Sequence, residues 1–319
     1  MLTVLLATRN RARILGNVLE SFCHIKPPSG GWKVIVVDNG STDKTAQIIA
    51  SFTNRLPLHS VCEPKLGKNY ALNAGLAMAE GDLTVFTDDD IFPHPDWLVE
   101  LRKAADTQPL YTMFGGVVAR RWEAPPPTWA QWLEQFPVYS HTDPLLKEGP
   151  VIPWKILGAN MCLRSSVFQL ETRFEPSMGP RGRSFPMGSE TELLLRLGRQ
   201  GHQAWHVERA VVEHFIQAAQ LSKAWVGKRA VRFGRGQYRL LDLRETSSPR
   251  LLMGIPRRLF REIPKEGFRM AVAWISSQEE TFIRRFWNFN FLLGKAIEAR
   301  NLAHVSIAQT QPSISKSND

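Results

Sequence analysis

Cysteine is scarce in this 319-residue chain: Cys23, Cys62 and Cys162 are scattered, odd in number and without metal-ligand spacing. That excludes a disulfide scaffold and a thiolate zinc site, and it points to a reducing compartment with thiols packed in the core. Long apolar runs are also missing. No segment approaches the ~18 uncharged apolar residues of a bilayer-crossing helix, so a membrane role would be peripheral. The opening Met1-Leu2-Thr3-Val4-Leu5-Leu6-Ala7 is too short for a signal peptide and lacks a basic leader; it reads as a first buried strand, and nothing suggests export. Acidic residues number 30 against 40 basic ones, leaving a formal charge of +10 and calling for an anionic partner such as a nucleoside diphosphate, a lipid headgroup or nucleic acid. No RNA- or DNA-binding motif accompanies the charge, so nucleic acid is not expected. There is no internal repeat. What is present is a hydrophobic content of 43%, enough for one large domain plus an appendage.

From Leu2 to about Val118 short apolar runs alternate with amphipathic stretches of helical length, the βαβ signature. Strands are expected at Thr3–Ala7, Lys33–Asp38, Leu58–Cys62, Leu83–Thr87 and Met113–Val118. Ile14, Leu15, Val18, Leu19 and Phe22 recur at helical spacing, as do Ala71, Leu72, Gly75, Leu76 and Ala79. The expectation is an α/β fold with a mostly parallel sheet, flanking helices, and functional loops at the strands' carboxyl ends. Arg120 to Leu157 breaks the rhythm with prolines and four tryptophans, Trp122, Trp129, Trp132 and Trp154, read as anchors of a long covering segment. Gly158–Leu163 and Ala210–His214 read as further strands and Glu190–Gln200 as a helix.

Two strands end in carboxylates. Val34-Ile35-Val36-Val37-Asp38 leads into Asn39-Gly40-Ser41-Thr42-Asp43, where Ser41 or Thr42 would cap a helix and leave Asp38 to accept from a base or ribose. Leu83 to Thr87 leads into Asp88-Asp89-Asp90, and Pro95 is placed to open the next helix. Three adjacent anions repel one another, whereas a divalent cation would neutralise them and could hold a diphosphate. Thr8, Arg9 and Lys68 stand where backbone N–H groups or cations would meet phosphate oxygens. Arg181 and Arg183 lie in a Gly-rich loop that either closes over a diphosphate or carries solvated charge, and His214 reads equally as a bonded core residue or a metal ligand.

Thr8-Arg9-Asn10, Val37 to Asp43, Gly67-Lys68-Asn69-Tyr70-Ala71-Leu72-Asn73-Ala74-Gly75, Gly81-Asp82 and the Asp-x-Asp of Asp88 and Asp90 together resemble family 2 glycosyltransferases with the GT-A fold. Gly158-Ala159-Asn160-Met161 resembles that family's acceptor-side strand, Gly188 to Leu193 its catalytic-base segment, and Ala210 to His214 its histidine-ended strand, so the resemblance spans Leu2 to Phe215. It implies that Asp38 recognises the nucleobase, Asp88 contacts the donor ribose or a metal-bound water, Asp90 binds Mn²⁺ or Mg²⁺, and Glu190 is the base. It also tilts His214 toward the metal. Ser189-Glu190 departs from the Glu-Asp of many members, making the base one methylene longer. The implied reaction is inverting transfer of one sugar from a nucleotide-diphosphate donor to a hydroxyl of a saccharide or lipid-linked acceptor, as in cell-envelope polysaccharide synthesis. Asp38 suits uracil through its N3–H, which favours a UDP-sugar, although it could accept from guanine as well. The Gln-x-x-Arg-Trp pattern of processive members is missing. A nucleotidyltransferase-like enzyme and an inactive nucleotide-sugar or membrane-binding module are the alternatives.

The expected domains are 1–118 for the donor, 119–218 for acceptor and base, a basic helical extension at 219–308 and a disordered tail at 309–319. In the extension, Phe282, Phe286, Phe289, Leu293 and Ile297 share a helical face and either pack inward or meet lipid. Its many arginines suit an anionic membrane on the cytoplasmic side.

Overall fold

The strands expected from the apolar runs between Leu2 and Val118 are all present. The structure is a computed structural model describing residues 1–168, 171–182, 185–242 and 251–310, with side chains up to 304. It divides into two units: Met1–Pro126 with Tyr139–Arg183 and Ser189–Gln220, and Pro127–Val138 with Ser184–Gly188 and Leu221–Asp319.

In the first unit the elements run β1 (Leu2–Thr8), α1 (Ala12–Phe22), β2 (Trp32–Asp38), α2 (Thr45–Ser51), β3 (Leu58–Cys62), α3 (Lys68–Leu76), β4 (Leu83–Phe86), β5 (Ile91–Pro93), α4 (Trp97–Thr107) and β6 (Met113–Trp122). After α5 (Thr128–Gln131), which belongs to the second unit, come β7 (Gly149–Val151), β8 (Met161–Arg164), α6 (Ser189–Arg199) and β9 (Ala204–Ile216). The sheet order is β3-β2-β1-β4-β8-β6-β9-β5, with β7 also on β9. β1 pairs in parallel with both β2 and β4, so the chain reverses its direction of travel across the sheet there. That reversal opens a crevice at the carboxyl ends of β1, β2 and β4. β8, β5 and β7 run against their neighbours, making the sheet mixed but mostly parallel.

Helices cover the sheet because their apolar residues recur on one face. Ile14, Leu15, Val18, Leu19 and Phe22 of α1 are buried with Trp97 and Leu101 of α4 on one side of the sheet. On the other, Ala71, Leu72 and Leu76 of α3 join Leu193, Leu194 and Leu197 of α6. Each such side chain contributes roughly 1.5–3 kcal/mol on burial.

Several expectations change. Pro95 does not open α4; it lies before the Asp96 cap, and Ile91–Pro93 instead forms β5 against His214, Glu213 and Val212. Gly158–Asn160 is a 3₁₀ turn ahead of β8, because the Asn160 amide bonds the carbonyls of Val117 and Ala210 rather than continuing a ladder. Cys62, at the outer strand β3, is exposed; only Cys162 is fully buried, and burial pushes its thiol up to about 12. Trp122 anchors edge-on against Tyr139 at 5.2 Å, but Trp154 is half exposed.

The second unit is helical: α7 (Lys223–Gln237), a hairpin of β10 (Leu251–Leu252) with β11 (Ile255–Pro256), α8 (Leu259–Ile275) and α9 (Glu279–Thr310). Helix α9 packs between α7 and α8, and Gly234 and Gly294 leave no room for a Cβ beside the carbonyls of Phe291 and Val231. The buried line on α9 is Ile283, Trp287, Ala296 and Ala299. Phe282 stacks on Phe286, Phe286 meets Gly227, and Phe289 meets Gly267, so these rings of the expected stripe are spent inside the unit. The tail beyond 310 lies outside the described residues.

Candidate active site

Three strands deliver carboxylates or hydroxyls to the crevice. Thr8 ends β1, Asp38 ends β2, and Asp88, Asp89 and Asp90 follow β4. The Thr8 hydroxyl donates to Asp89 Oδ2 at 2.7 Å, tying the two strand ends together. Thr8 thus serves the fold's own geometry, and its carbonyl accepts from Asn39 N–H at 2.9 Å. Arg9 is exposed and reaches the Gly40 carbonyl at 3.4 Å.

Asp38 is buried, and its Oδ1 accepts from Ser41 N–H at 2.9 Å. Neither Ser41 nor Thr42 caps α2, which begins at Thr45; Asp43 instead accepts from Thr45 N–H at 3.0 Å. The Ser41 hydroxyl and the Thr42 N–H are both engaged by Asn10. Asp38 therefore holds its own turn with one oxygen, and Oδ2 has no hydrogen bond among the described residues.

Lys68 is the centre of the arrangement. It opens α3, and its Nζ lies 2.5 Å from Asp88 Oδ1 and 2.7 Å from Glu190 Oε1. Burial alone would lower the ammonium's pKa, but the two carboxylates outweigh it and hold it above the usual lysine range. Burial likewise favours neutral Asp88, yet the Lys68 charge and hydrogen bond dominate and keep that carboxyl below its ordinary value. Asp89 behaves oppositely. Burial first, then the charges of Asp90 and Asp88, push it up to about 6 although Arg11 and Thr8 act against the shift.

Glu190 sits in the first turn of α6 with its side chain 19% exposed, facing Gly158. A Cβ on Gly158 would collide with the Glu190 side chain, so the Gly158–Asn160 turn and the carboxylate fit only because glycine stands there. Ser189 anchors the start of α6 by donating to Asn69 Oδ1 at 2.6 Å. Asn69 in turn donates to the carbonyls of Glu175 and Met178.

Asp90 Oδ1 lies 3.9 Å from His214 Nε2. His214 Nδ1 is 3.4 Å from the Tyr139 carbonyl, which leaves Nε2 as the ring nitrogen on the Asp90 side. An oxygen and an imidazole nitrogen side by side suit Mn²⁺, and Mg²⁺ less well. Among the described residues no cluster of three or more His, Cys, Asp or Glu could hold a metal alone. Asp90 and His214 fit the sparser pattern, in which protein supplies one or two ligands and a phosphate the rest. Arg181, exposed, lies over the Tyr70 ring at 5.8 Å, and its neighbour Pro180 accepts from Lys68 N–H at 2.9 Å. Arg183 lies outside the described residues.

The structure thus brings Asp88, Lys68 and Glu190 into contact, sets Asp90 beside His214, and leaves Arg9 and Arg181 at the surface. Two residues went unread in the sequence. Arg11 faces Asp89 at 4.0 Å and Asp90 at 3.8 Å. Asn39 donates to the carbonyls of Glu63 and Lys65 and accepts from Gly67 N–H at 2.7 Å, fixing the loop that presents Lys68. Arg11 is signalled only by following Arg9 at the end of β1, and Asn39 only by following Asp38.

Among solved structures, a mannosyltransferase from Pyrobaculum calidifontis in complex with GDP-Man and Mn²⁺ superposes with a TM-score of 0.57 at 18% identity, covering 98% of this chain and 76% of that one. Staphylococcus aureus TarS in complex with UDP-GlcNAc gives 0.53 at 13% identity, covering 98% and 93%. These likenesses establish the GT-A-type fold. A validoxylamine A glucosyltransferase of Streptomyces hygroscopicus is 28% identical over 43% of this chain and 33% of its own length. A beta-monoglucosyldiacylglycerol synthase of Nostoc is 26% identical over 31% and 22% respectively. The chain therefore spans a third or less of these two relatives. The family model of glycosyl transferase family 2 matches residues 3–168, over half of the chain, and the protein belongs to that family.

Proposed function

We propose that the protein transfers a single sugar, with inversion, from a nucleotide-diphosphate donor to a hydroxyl of a saccharide or lipid-linked acceptor. The observation that carries this reading is the Lys68 bridge: Lys68 reaches Glu190 of α6, 122 residues away in sequence, and at the same time holds Asp88 at the end of β4. One cation spans the base side and the donor side of the crevice, so a diphosphate entering there would compete with both carboxylates for it. Glu190, released, takes the acceptor proton as the new C–O bond forms at the anomeric carbon, while the bond to the diphosphate breaks and its electron pair leaves with the nucleotide. Asp38 accepts from the base through its available oxygen, with a uracil N3–H favoured, and Asp88 meets the ribose side. Asp90 and His214 would hold Mn²⁺ or Mg²⁺, which when bound supplies Lewis acidity to the departing diphosphate. Arg9 and Arg181 offer cations to phosphate oxygens from the rim, Arg183 is assigned the same role from the sequence alone, and Thr8 keeps the strand ends in register.

In this reading the protein works in the cytoplasm, peripheral to the anionic inner face of the cell membrane. No described helix is long and apolar enough to cross a membrane, and the basic excess suits acidic headgroups. The test is nucleoside diphosphate release from a panel of nucleotide sugars with Mn²⁺. Glu190→Gln should lower turnover about 10²–10⁴-fold with the fold intact, and Asp90→Ala should abolish the Mn²⁺-stimulated release. Release of pyrophosphate, or metal-independent release unaltered in both variants, would overturn the reading in favour of nucleotidyl transfer or another chemistry.

A further inference from the structure

The helix α8 carries an apolar face that the second unit leaves to solvent. Its buried residues, Leu259, Glu266 and Ala273, repeat every seven positions and face inward. Roughly opposite, at i, i+4, i+8, i+11, i+12 and i+15, run Phe260, Pro264, Phe268, Ala271, Val272 and Ile275, all exposed. Phe268 is 69% and Ile275 75% accessible, and Trp274 on the helix edge is 70% accessible. A soluble helix ordinarily presents charge there. Along one margin of the stripe lie Arg261, Lys265 and Arg269, each one position beyond an apolar residue. Arg257 precedes the helix, and among the described residues neither it, Arg261 nor Lys265 forms an ion pair. Residues 257–275 hold five cations, Arg257, Arg258, Arg261, Lys265 and Arg269, against two carboxylates, of which Glu266 is turned inward toward Arg285. Just ahead, the β10–β11 hairpin exposes Leu251, Leu252 and Met253.

We infer that this outward face of α8, and not the aromatic stripe of α9, is the surface that lies in the headgroup layer of an anionic bilayer. The deduction rests on the membrane-peripheral part of the reading above. An apolar strip bordered by cations, of which among the described residues only Arg269 is paired, with Glu266, matches a lipid interface, where rings enter the acyl boundary and guanidinium and ammonium groups meet phosphates. A second copy of the chain is a poorer occupant, since it would bring two such basic rows into one interface.

The experiment is co-sedimentation of the full chain with phosphatidylglycerol–phosphatidylcholine vesicles and with pure phosphatidylcholine vesicles. The unaltered chain should partition onto the anionic vesicles. Phe268→Asp with Ile275→Asp should lower that partition at least about tenfold, without change in melting temperature or in nucleoside diphosphate release with a soluble acceptor. Arg261→Gln with Lys265→Gln should lower it about thirtyfold, two near-surface cations at about 1 kcal/mol each. Undiminished binding of the aspartate variant would overturn the assignment to α8 while leaving the membrane reading standing. Failure of the unaltered chain to bind either vesicle would remove both. Self-association that the aspartate variant abolishes, without vesicle binding, would give the stripe to a second copy and overturn the lipid assignment.

Discussion

Both units bury charge, and they do so to different ends. In the sheet unit Lys68 sits between Asp88 and Glu190 at the crevice edge, with Arg11 facing Asp89 and Asp90 at longer range. In the helical unit Glu298 is fully buried between Arg235 and Arg239, and Glu266 is held by Arg285 and Arg269. The second arrangement joins neighbouring helices and presents nothing to a ligand. In the first, every pair lies at strand ends or a helix start, where a substrate could exchange partners with the protein. A buried ion pair is therefore not itself a mark of function. What separates the two is whether the charges face a crevice built by sheet topology or a helix interface built by packing.

Substituting one member of each cluster breaks the comparison most sharply. Glu298→Gln would leave two arginines without their carboxylate in a closed interface and should cost about 3–5 kcal/mol. Chemical denaturation should show that loss, with turnover per folded molecule unchanged. Lys68→Met should do the reverse. Its carboxylates stand at an edge that water can reach, so the melting temperature should fall less than in Glu298→Gln, while turnover falls on the order of a hundredfold as the diphosphate loses its cation. Equal stability losses, or an active Lys68→Met, would dissolve the distinction.

Gly158→Ala sharpens it within the sheet unit. The added methyl must displace Glu190, because the two occupy the same space. Turnover should drop about tenfold or more, in keeping with the sensitivity of reacting groups to small misplacement, with donor affinity unmoved. If kcat holds and KM for the donor rises, the turn serves the donor side and Glu190 is not the group it positions.

How much of this was legible in the sequence follows the same division. Strands β1, β2, β4 and β6 were readable because buried parallel strands are continuous apolar runs, and the carboxylates that end β2 and follow β4 could be placed from those runs alone. β5 was not. Ile91-Phe92-Pro93 is too short to show alternation, and it exists because β9 offers its edge. The loop fasteners Asn39 and Asn69 were hidden for another reason: their partners are backbone carbonyls that only the folded chain brings near. In the helical unit, periodicity located apolar residues on α9 but could not say that α7 and α8 would cover them. Nor could it say that α8, amphipathic in the opposite sense, would keep Phe268 outside. The cap of α2 was misassigned because Ser41, Thr42 and Asp43 all suit a helix start, and Asn10 claims the first two.

The smallest effect concerns a buried histidine remote from any proposed chemistry. His206 on β9 is 3% exposed, and its Nε2 is buried without a partner among the described residues. Burial depresses its pKa below the ordinary 6.5, against the opposing influence of the Gly115 carbonyl and of Glu208 and Glu148. A depressed histidine means that the unfolded chain takes up the proton first. Stability on this account is therefore complete above pH 6.5 and declines as pH falls from there through the lower folded value. His206→Leu removes the titrating group, so thermal melts at pH 7 and pH 5 should differ less in the variant than in the unaltered chain. The drop should be localised to the sheet unit, since His206 faces Gly115 of β6 and Gly149 of β7 in the ladder. An identical acid loss in both proteins would show that other groups set the acid limb and that His206 is accommodated in either protonation state.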